Sequence, residues 1–294
     1  MIVIATPTGS IGRQVLARVL ERDAPVRVIA RDPSRLAPEA AGRVEVVRGS
    51  LTDEAVVTEA CAGADAVFWL VPPNPRATGI ATHTVDCVRT LCAAIGRQDV
   101  PPRVVGVSSL GRGVARNAGQ ISAIFAMDDL IESTGVHYRS LCPPGFMDNM
   151  LWQAGPIRDH GAFYASLPAD RRTPACATRD IAAVAAGLLL DDSWTGQGSV
   201  PLLGPEDLSQ EDMAKIMSDV LDRPIRYQRV SAADTKASLV EHGMTEAWAQ
   251  GLVDMTAAVE RGIYDLDPGT PRSATPTTFR RWCEHTLKPA VEAA

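Results

Sequence analysis

A chain of 294 residues is long enough for one large domain or two modest ones, and its 46% apolar and 22% charged content is that of a soluble globular protein. A net charge of -6 with no Lys/Arg block argues against a nucleic-acid partner, and the longest apolar run, Ile181–Leu190, is too short to cross a bilayer. The six cysteines form no CxxC and no His/Cys/Asp cluster has ligand spacing, which argues against a zinc ribbon, a redox dithiol and any metal site.

The cysteines are therefore expected to be buried free thiols in a reducing cytoplasm. No basic n-region precedes Ile2, so no secretory leader is expected, and the expected location is cytoplasmic.

The chain opens MIVIATPTGSIGRQVLARVL. Ile2–Ile4 reads as a strand, and Ile11, Val15 and Val19, widened by Leu16 and Leu20, give the following segment a helical stripe. Val26–Ile29, Val44–Val47, Ala66–Val71 and Val104–Val107 are further strands, continuous in Val and Ile as in a parallel sheet covered on both faces. Ala81–Ile95 and Ser122–Ser133 read as helices, and Tyr138–Leu141 as a sixth strand closed by the prolines of CPPG. Alternation of this kind predicts an α/β fold with a doubly wound parallel sheet.

Beyond residue 143 the pattern loosens. Ala154–Thr173 mixes Gly, Pro, His and Arg and reads as irregular. Arg179–Asp191 is a helix with Thr178 as cap, and Gly198–Leu203 a strand. Ser209–Leu221 is a helix opened by a capping box, Ser209 with Asp212. Ser231–His242 and Thr245–Gly262 are helices joined at Gly243, and the last residues are expected to fray. The expected layout is a nucleotide domain over 1–143, with 177–204 returning to it, and a smaller, mostly helical substrate or lid domain from 144–176 and 205–294.

The stretch ATPTGSIG carries the functional signal. A helix N-terminus offers free N–H groups and a positive dipole end to phosphate. Gly9 and Gly12 match the last two glycines of a dinucleotide loop, one for backbone approach to pyrophosphate and one for close helix packing. Thr6 stands where the first glycine would be, so Pro7 and Thr8 are expected to make the bend. The hydroxyls of Thr6, Thr8 and Ser10 are further phosphate donors. The second strand ends in ARDPSRL, with Arg31 at its tip and Arg35 close by. Arginine is a good phosphate clamp and a poor ribose partner, which favours NADP(H), while Asp32 keeps a ribose 2′-OH, and so NAD(H), as the alternative.

With ATPTGSIG, ARDPSRL, VRGSLTD, DAVFWLVPP, VVGVSS and LCPPGFMDN in this order, followed by TRDIAAVAAGLLLD and LLGPEDLSQEDMAKIMSDVL, the chain resembles the NmrA-like group of atypical short-chain dehydrogenases over nearly its whole length. The resemblance implies an NAD(P)-binding Rossmann domain followed by a small substrate domain. It implies that Thr8, Gly9, Ser10, Ile11 and Gly12 hold the pyrophosphate and Arg31 with Arg35 the 2′-phosphate. It places Ser50 and Leu51 beside adenine, where the family often has aspartate for Ser50, and Leu70, Val71 and Pro72 beside the nicotinamide ribose. It sets Ser108 and Ser109 at the fifth strand's end, where the wider superfamily keeps its catalytic serine, and Phe146 and Asn149 at the substrate cleft.

Carbonyl reduction in the wider superfamily uses a Tyr-x-x-x-Lys pair. Here the residues four after Tyr138, Tyr164, Tyr227 and Tyr264 are Cys142, Pro168, Ser231 and Pro268, and no lysine precedes Lys215. The helix expected to carry the pair has Gln120 and Ile124 at the corresponding places. Positioning alone can still serve hydride transfer. The open sources of the proton are Ser109 with water, Tyr164, His160, His83, or a phenol on the substrate itself. The last resembles what is proposed for family members that reduce polycyclic aromatic ketones in antibiotic biosynthesis.

Trp152, Phe163, Met147 and Met150 line an apolar cleft for a flat substrate or belong to a core between domains; Trp152 and Tyr164 are taken as substrate contacts. The leading expectation is an NADPH-dependent reductase of a ketone or enone on a mostly apolar substrate, polycyclic aromatic ones included, working without the Tyr-x-x-x-Lys pair. A non-catalytic NADP-sensing regulator and a non-redox isomerase or cyclase are the alternatives. Monomer and dimer both remain open.

Overall fold

The computed structural model describes residues 1–114, 116–265 and 275–293. In chain order the first half holds β1 (Ile2–Ile4), α1 (Gly12–Leu20), β2 (Val26–Ala30), β3 (Val44–Arg48), α2 (Glu54–Cys61), β4 (Ala66–Trp69), α3 (Ile80–Gly96), β5 (Arg103–Val107), α4 (Gln120–Ser133) and β6 (Tyr138–Cys142). The second half holds β7 (Gly145–Phe146), α5 (Ala154–His160), β8 (Ala162–Ala165), β9 (Thr173–Cys176), α6 (Thr178–Leu190), β10 (Gln197–Pro201), β11 (Asp207–Leu208), α7 (Gln210–Leu221), β12 (Arg226–Arg229), α8 (Ala232–Glu241), α9 (Glu246–Glu260), α10 (Phe279–Trp282) and α11 (Lys288–Ala293).

The chain forms two compact units. One comprises Met1–Ser109, Ala123–Cys142 and Ile181–Val200; the other comprises Leu110–Ser122, Pro143–Asp180 and Pro201–Ala294.

The first unit is built on a seven-stranded sheet of order β10-β6-β5-β4-β1-β2-β3. β1 to β6 pair in parallel throughout, with Ile2 opposite both Val26 and Ala66. Val3, Ile4, Val28, Val67, Phe68, Val104 and Val105 are fully buried, because helices cover both faces of the sheet. Strand order reverses between β1 and β4, which makes this the doubly wound, Rossmann-type arrangement and puts its crevice at the carboxyl ends of those two strands. Arg27 on β2 ties the sheet to α2, its Nη1 donating to the carbonyls of Ala60 and Ala62 at 2.8 Å each. These are end-of-helix acceptors with no partner inside the helix.

The second unit is mostly helical, with one three-stranded sheet, β11-β9-β7, and one two-stranded sheet, β12-β8. Its core gathers Met147, Ile157, Phe163, Met217, Phe279, Trp282, Cys283 and Leu287.

Three expectations need correction. Ala154–Thr173 is not irregular: it contains α5 and β8. Pro156 lies in the first turn, where no intrahelical N–H is needed, and Gly161 ends the helix in the left-handed region at φ 58°. The residues that read as loop are the helix's punctuation. The C-terminus does not fray before Ala293, since Trp282, Leu287 and Val291 are buried in the second core. Finally, α6 begins one residue early, and its first turn is capped from a distance. The hydroxyl and the N–H of Thr178 donate to the carboxylate of Asp148 at 2.7 and 3.0 Å.

All six cysteines are free; burial pushes Cys61 and Cys87 up to about 11, and Cys176 and Cys283 up to about 12, so these four stay protonated, unreactive thiols at neutral pH.

Trp282 is 1% exposed and stacks on Phe279 with ring centroids 5.6 Å apart. Trp282→Ala is expected to lower the unfolding free energy by about 3–5 kcal/mol. Urea denaturation followed by circular dichroism checks this, and a loss below about 1 kcal/mol would place the C-terminal helices outside the core.

Candidate cofactor site

The parallel sheet brings the ends of β1, β2, β3, β4 and β5 to one edge of the first unit, and the residues singled out in unit one all follow these strands. At β1 the chain turns through Thr6–Gly9. The N–H of Gly9 donates to the carbonyl of Thr6 at 3.2 Å, so Pro7 and Thr8 occupy the centre of the turn, as their chemistry implies. Neither Gly9 nor Gly12 has positive φ. The glycines therefore serve close approach and not a left-handed turn.

The approach is tight at one of them. A Cβ on Gly12 would lie 1.8 Å from the carbonyl oxygen of Thr6, whereas one on Gly9 would lie 3.6 Å from it, an ordinary contact. Ile11 precedes α1 with helical φ and ψ of -84° and -49°, and no side chain caps the first amides. The start of α1 thus presents backbone donors and its dipole to the crevice. Thr8 is half-buried and Ser10 exposed. The Thr6 hydroxyl is buried, has no hydrogen-bond partner and lies 3.2 Å from the Cβ position on Gly12. An uncapped helix start beside an unpartnered buried hydroxyl, with a glycine where a Cβ would close the approach, fits a pyrophosphate-binding loop.

Arg31 and Arg35 are exposed beyond β2. Asp32 is turned away from a free role: its Oδ1 accepts the hydroxyl of Ser34 at 2.6 Å and the N–H of Ser34 at 3.1 Å, capping a short 3-10 turn over Pro33–Arg35. Those two bonds, with Arg35 and Arg48 nearby, hold its carboxyl below the usual range and keep it ionised. Arg48 was not anticipated. It ends β3 opposite Ala30, one residue before Arg31, so Arg31 and Arg48 sit at the ends of two neighbouring strands, and Arg35 and Arg48 both bear on Asp32 from the turn beyond β2 and from β3. The signal lay in register, which pairs Val26 with Val44 and carries residue 48 to the strand tip.

The remaining positions are placed as follows. Ser50 and Thr52 share a hydroxyl hydrogen bond of 2.9 Å, and the buried Leu51 accepts the Thr90 hydroxyl on its carbonyl at 2.6 Å. Leu70, Val71 and Pro72 are half-buried at the end of β4, which stops at Trp69 and not at Val71. The Pro72 carbonyl lies 2.9 Å from Nε2 of His83. A carbonyl only accepts, so Nε2 carries hydrogen and is engaged in holding this loop.

Beyond β5, Ser108 and Ser109 are 4% and 5% exposed. The Ser108 hydroxyl donates to the fully buried Asp128 of α4, as do Tyr138 at 2.6 Å and Ser140 at 3.2 Å. Burial and the Asp128 carboxylate push the Tyr138 phenol well above 10, so it is a fixed internal donor and no source of protons for a ligand.

The expected substrate residues lie in the second unit. Phe146 is half-buried on β7, opposite Cys176; Asn149 is exposed; Trp152 is 88% exposed; and Tyr164 is half-buried on β8. His160 is exposed at the end of α5. Among the described residues no group of His, Cys, Asp or Glu is arranged to hold a metal ion, and no helix is long and apolar enough to cross a membrane.

A sequence-family model described as NAD(P)H-binding matches residues 7–192. The chain is 28% identical over 277 residues to an NAD(P)H azoreductase of Xenophilus azovorans, covering 91% of this chain and 92% of that one. It is 29% identical over 300 residues to a (4-alkanoyl-5-oxo-2,5-dihydrofuran-3-yl)methyl phosphate reductase of Streptomyces griseus, covering 97% and 98%. In fold it resembles an NADPH-dependent quinone oxidoreductase of Escherichia coli solved with NADPH, with a TM-score of 0.76, 20% identity, and 100% and 99% coverage.

Gly12→Ala is expected to cost about 1–3 kcal/mol of stability and to weaken NADPH, because its Cβ must displace the Thr6 backbone. Gly9→Ala is expected to leave stability within about 0.5 kcal/mol of the parent. Thermal unfolding of both, with NADPH fluorescence titration, checks the pair; equal stabilities would remove the constraint at Gly12.

Proposed function

The chain belongs to the NAD(P)H-binding family, among the NmrA-like atypical short-chain dehydrogenases, and on that premise we propose that it is an NADPH-dependent reductase of a conjugated carbonyl on a flat, mostly apolar molecule. The observation that carries the choice of NADPH is the grouping of Arg31, Arg35 and Arg48 at the ends of β2 and β3, with Asp32 already engaged by Ser34. A dinucleotide lying across the switch point sets its adenosine half over these strands and its nicotinamide half over β4 and β5. Thr8–Gly12 would hold the pyrophosphate, the arginines a 2′-phosphate, Ser50 and Leu51 the adenine, and Leu70–Pro72 with Ser108 the nicotinamide ribose. The bound dihydronicotinamide supplies a hydride.

The chain's own part in the chemistry is positioning. His83 fixes the Pro72 carbonyl, and Asp128 fixes Ser108 with the hydrogen of its hydroxyl turned inward. Ser109 is the hydroxyl at this strand end that we assign to hold the protonating water. Tyr138 is withdrawn, and no Tyr-x-x-x-Lys pair stands in for it.

A site without a strong acid suits a substrate whose oxygen needs none. Hydride addition to an enone or quinone moves an electron pair onto a carbonyl oxygen that becomes an enolate or phenolate. Such an oxygen is stable enough to take its proton from water or from a neighbouring phenol. The dihydrofuranone phosphate reductase, whose named substrate carries a carbonyl conjugated to a ring double bond, supports this class, and the azoreductase supports a reducible unsaturated acceptor more broadly. We assign substrate recognition to the second unit, through Phe146, Asn149, Trp152 and Tyr164.

The test is NADPH oxidation against a panel of quinones, enones and isolated ketones, with turnover expected for the conjugated members. No turnover of any member, with NADPH bound, would favour a nucleotide-sensing role instead. Arg31→Ala is expected to weaken NADPH by about 10- to 100-fold, the loss of a charged hydrogen bond, and NADH by less than about 3-fold. Fluorescence titration of both coenzymes decides it: equal losses mean that the arginine does not read the 2′-phosphate.

A further inference from the structure

Of the five tryptophans, four are sequestered: Trp69, Trp194, Trp248 and Trp282 are 0, 9, 3 and 1% exposed. Trp152 is 88% exposed. Leaving so large an apolar side chain in water forgoes the stabilisation that its burial would bring. Its neighbourhood is nonetheless firmly built. Trp152 is the last but one residue of a 3-10 segment, Met147–Gln153, that begins on the buried Met147 and runs directly into α5.

The next residue, Gln153, has its side chain folded onto β8. Its Nε2 donates to the Tyr164 carbonyl at 3.2 Å, and its Oε1 accepts the Tyr164 N–H at 3.4 Å. A primary amide making both bonds to one residue mimics a neighbouring strand. β8 pairs with β12 along its other edge, where Tyr164 stands opposite Gln228. Gln153 therefore closes the open edge at Tyr164 and fixes its distance from the turn that carries Trp152.

Alternation along β8 sets the direction of the ring. Phe163 is 1% exposed and packs on Tyr227, with centroids 5.2 Å apart. Tyr164 therefore projects from the opposite face, and it is half-buried there. The amide thus ties the turn that carries the 88% exposed Trp152 to the backbone of β8 at the half-buried Tyr164.

We infer that Trp152 and Tyr164 form a stacking subsite for a flat, two- or three-ring aromatic ligand, and that Gln153 is the positioning residue that sets their spacing. This rests on assigning substrate recognition to the second unit. Aromatic faces favour offset stacking on another π system, and a fixed spacing selects ring-system size over polar decoration.

The test uses the full chain with saturating NADP+, so that no reduction occurs, and 2-methyl-1,4-naphthoquinone as probe. Because Trp152 is the exposed tryptophan, its emission reports the subsite. Saturable quenching is expected in the parent; in Trp152→Ala, a surface change that removes both the ring and the reporter, binding of the probe is followed by calorimetry and is expected to weaken by at least about 10-fold. Gln153→Met, similar in size but unable to make the two bonds, is expected to weaken the probe by about 3- to 10-fold. Gln153→Glu keeps the acceptor and loses the donor, and is expected to fall between Met and the parent.

With NADPH, Gln153→Met is expected to raise KM for the naphthoquinone by a similar factor, with kcat within about 2-fold and KM for 1,4-benzoquinone unchanged. Quenching that does not saturate overturns the subsite. So does quenching that follows protein concentration, which marks Trp152 as a contact between copies of the chain. An equal rise in KM for one-ring and two-ring quinones removes Gln153 from specificity. If the probe binds with this dependence and no quinone is reduced, the subsite stands and the reductase reading falls.

Discussion

The Thr6 carbonyl oxygen lies where any side chain at position 12 would have to begin, 1.8 Å from the Cβ site. That contact decides how β1 passes into α1. The helix starts against the Thr6 carbonyl of the loop that follows β1, with no side chain capping its first turn. A threonine at the first position of the loop is tolerable because the turn is carried by Pro7 and Thr8 and needs no positive φ. The glycine missing from the loop is thus a different turn, and the glycine retained at 12 is the one that sterics demand. Everything assigned to phosphate recognition in the first unit depends on this approach being kept.

Around it the sheet does the arranging. Parallel strands deliver all their carboxyl ends to one edge, so residues 6–12, 31–35, 48–51, 70–72 and 108–109 share that edge although they span a hundred positions of sequence. On the proposed reading, selectivity for the phosphorylated coenzyme would come from small local choices. At β2 the decisive one is the 3-10 turn over Pro33–Arg35, which gives the Asp32 carboxylate a partner in Ser34. An acid so engaged is less able to accept a ribose hydroxyl, and three arginines remain around it.

The parts of the molecule that follow from local chemistry were legible in the sequence. β1 to β6 fall within one or two residues of their expected limits, and in β1, β2, β4 and β5 it is the short Val- and Ile-rich or aromatic apolar run that marks the buried parallel strand. The capping box of α7 is present as read, with reciprocal bonds between Ser209 and Asp212 of 3.0 and 3.1 Å. What escaped was what depends on register or on distant partners. α5 has seven residues, too few to display a period, and its Pro and Gly pointed the wrong way. α2 is short and carries a weak stripe; its N-cap, Asp53, accepting the Ala55 and Val56 N–H groups, was its only clear mark. Arg48 gains its place from pairing with Ala30, and Asp148 caps a helix thirty residues ahead. No local pattern encodes either.

The same division runs through the chemistry. The absence of a Tyr-x-x-x-Lys pair is a property of the sequence, but it leaves open whether a displaced tyrosine takes over. Tyr138, at the start of β6, is the tyrosine nearest in sequence to the helix expected to carry the pair, and burial beside a carboxylate drives its phenol out of the useful range. Its hydrogen, with those of Ser108 and Ser140, points at Asp128. A buried carboxylate is costly unless donors surround it, and here the donors include the hydroxyls of Ser108, just beyond β5, and of Tyr138 and Ser140 on β6. The unit has therefore turned its local acids into internal scaffolding. On the reading proposed above, reduction at such an edge would call for an acceptor that stabilises its own negative charge, a property that conjugation to a carbonyl or an aromatic ring would supply in the substrate.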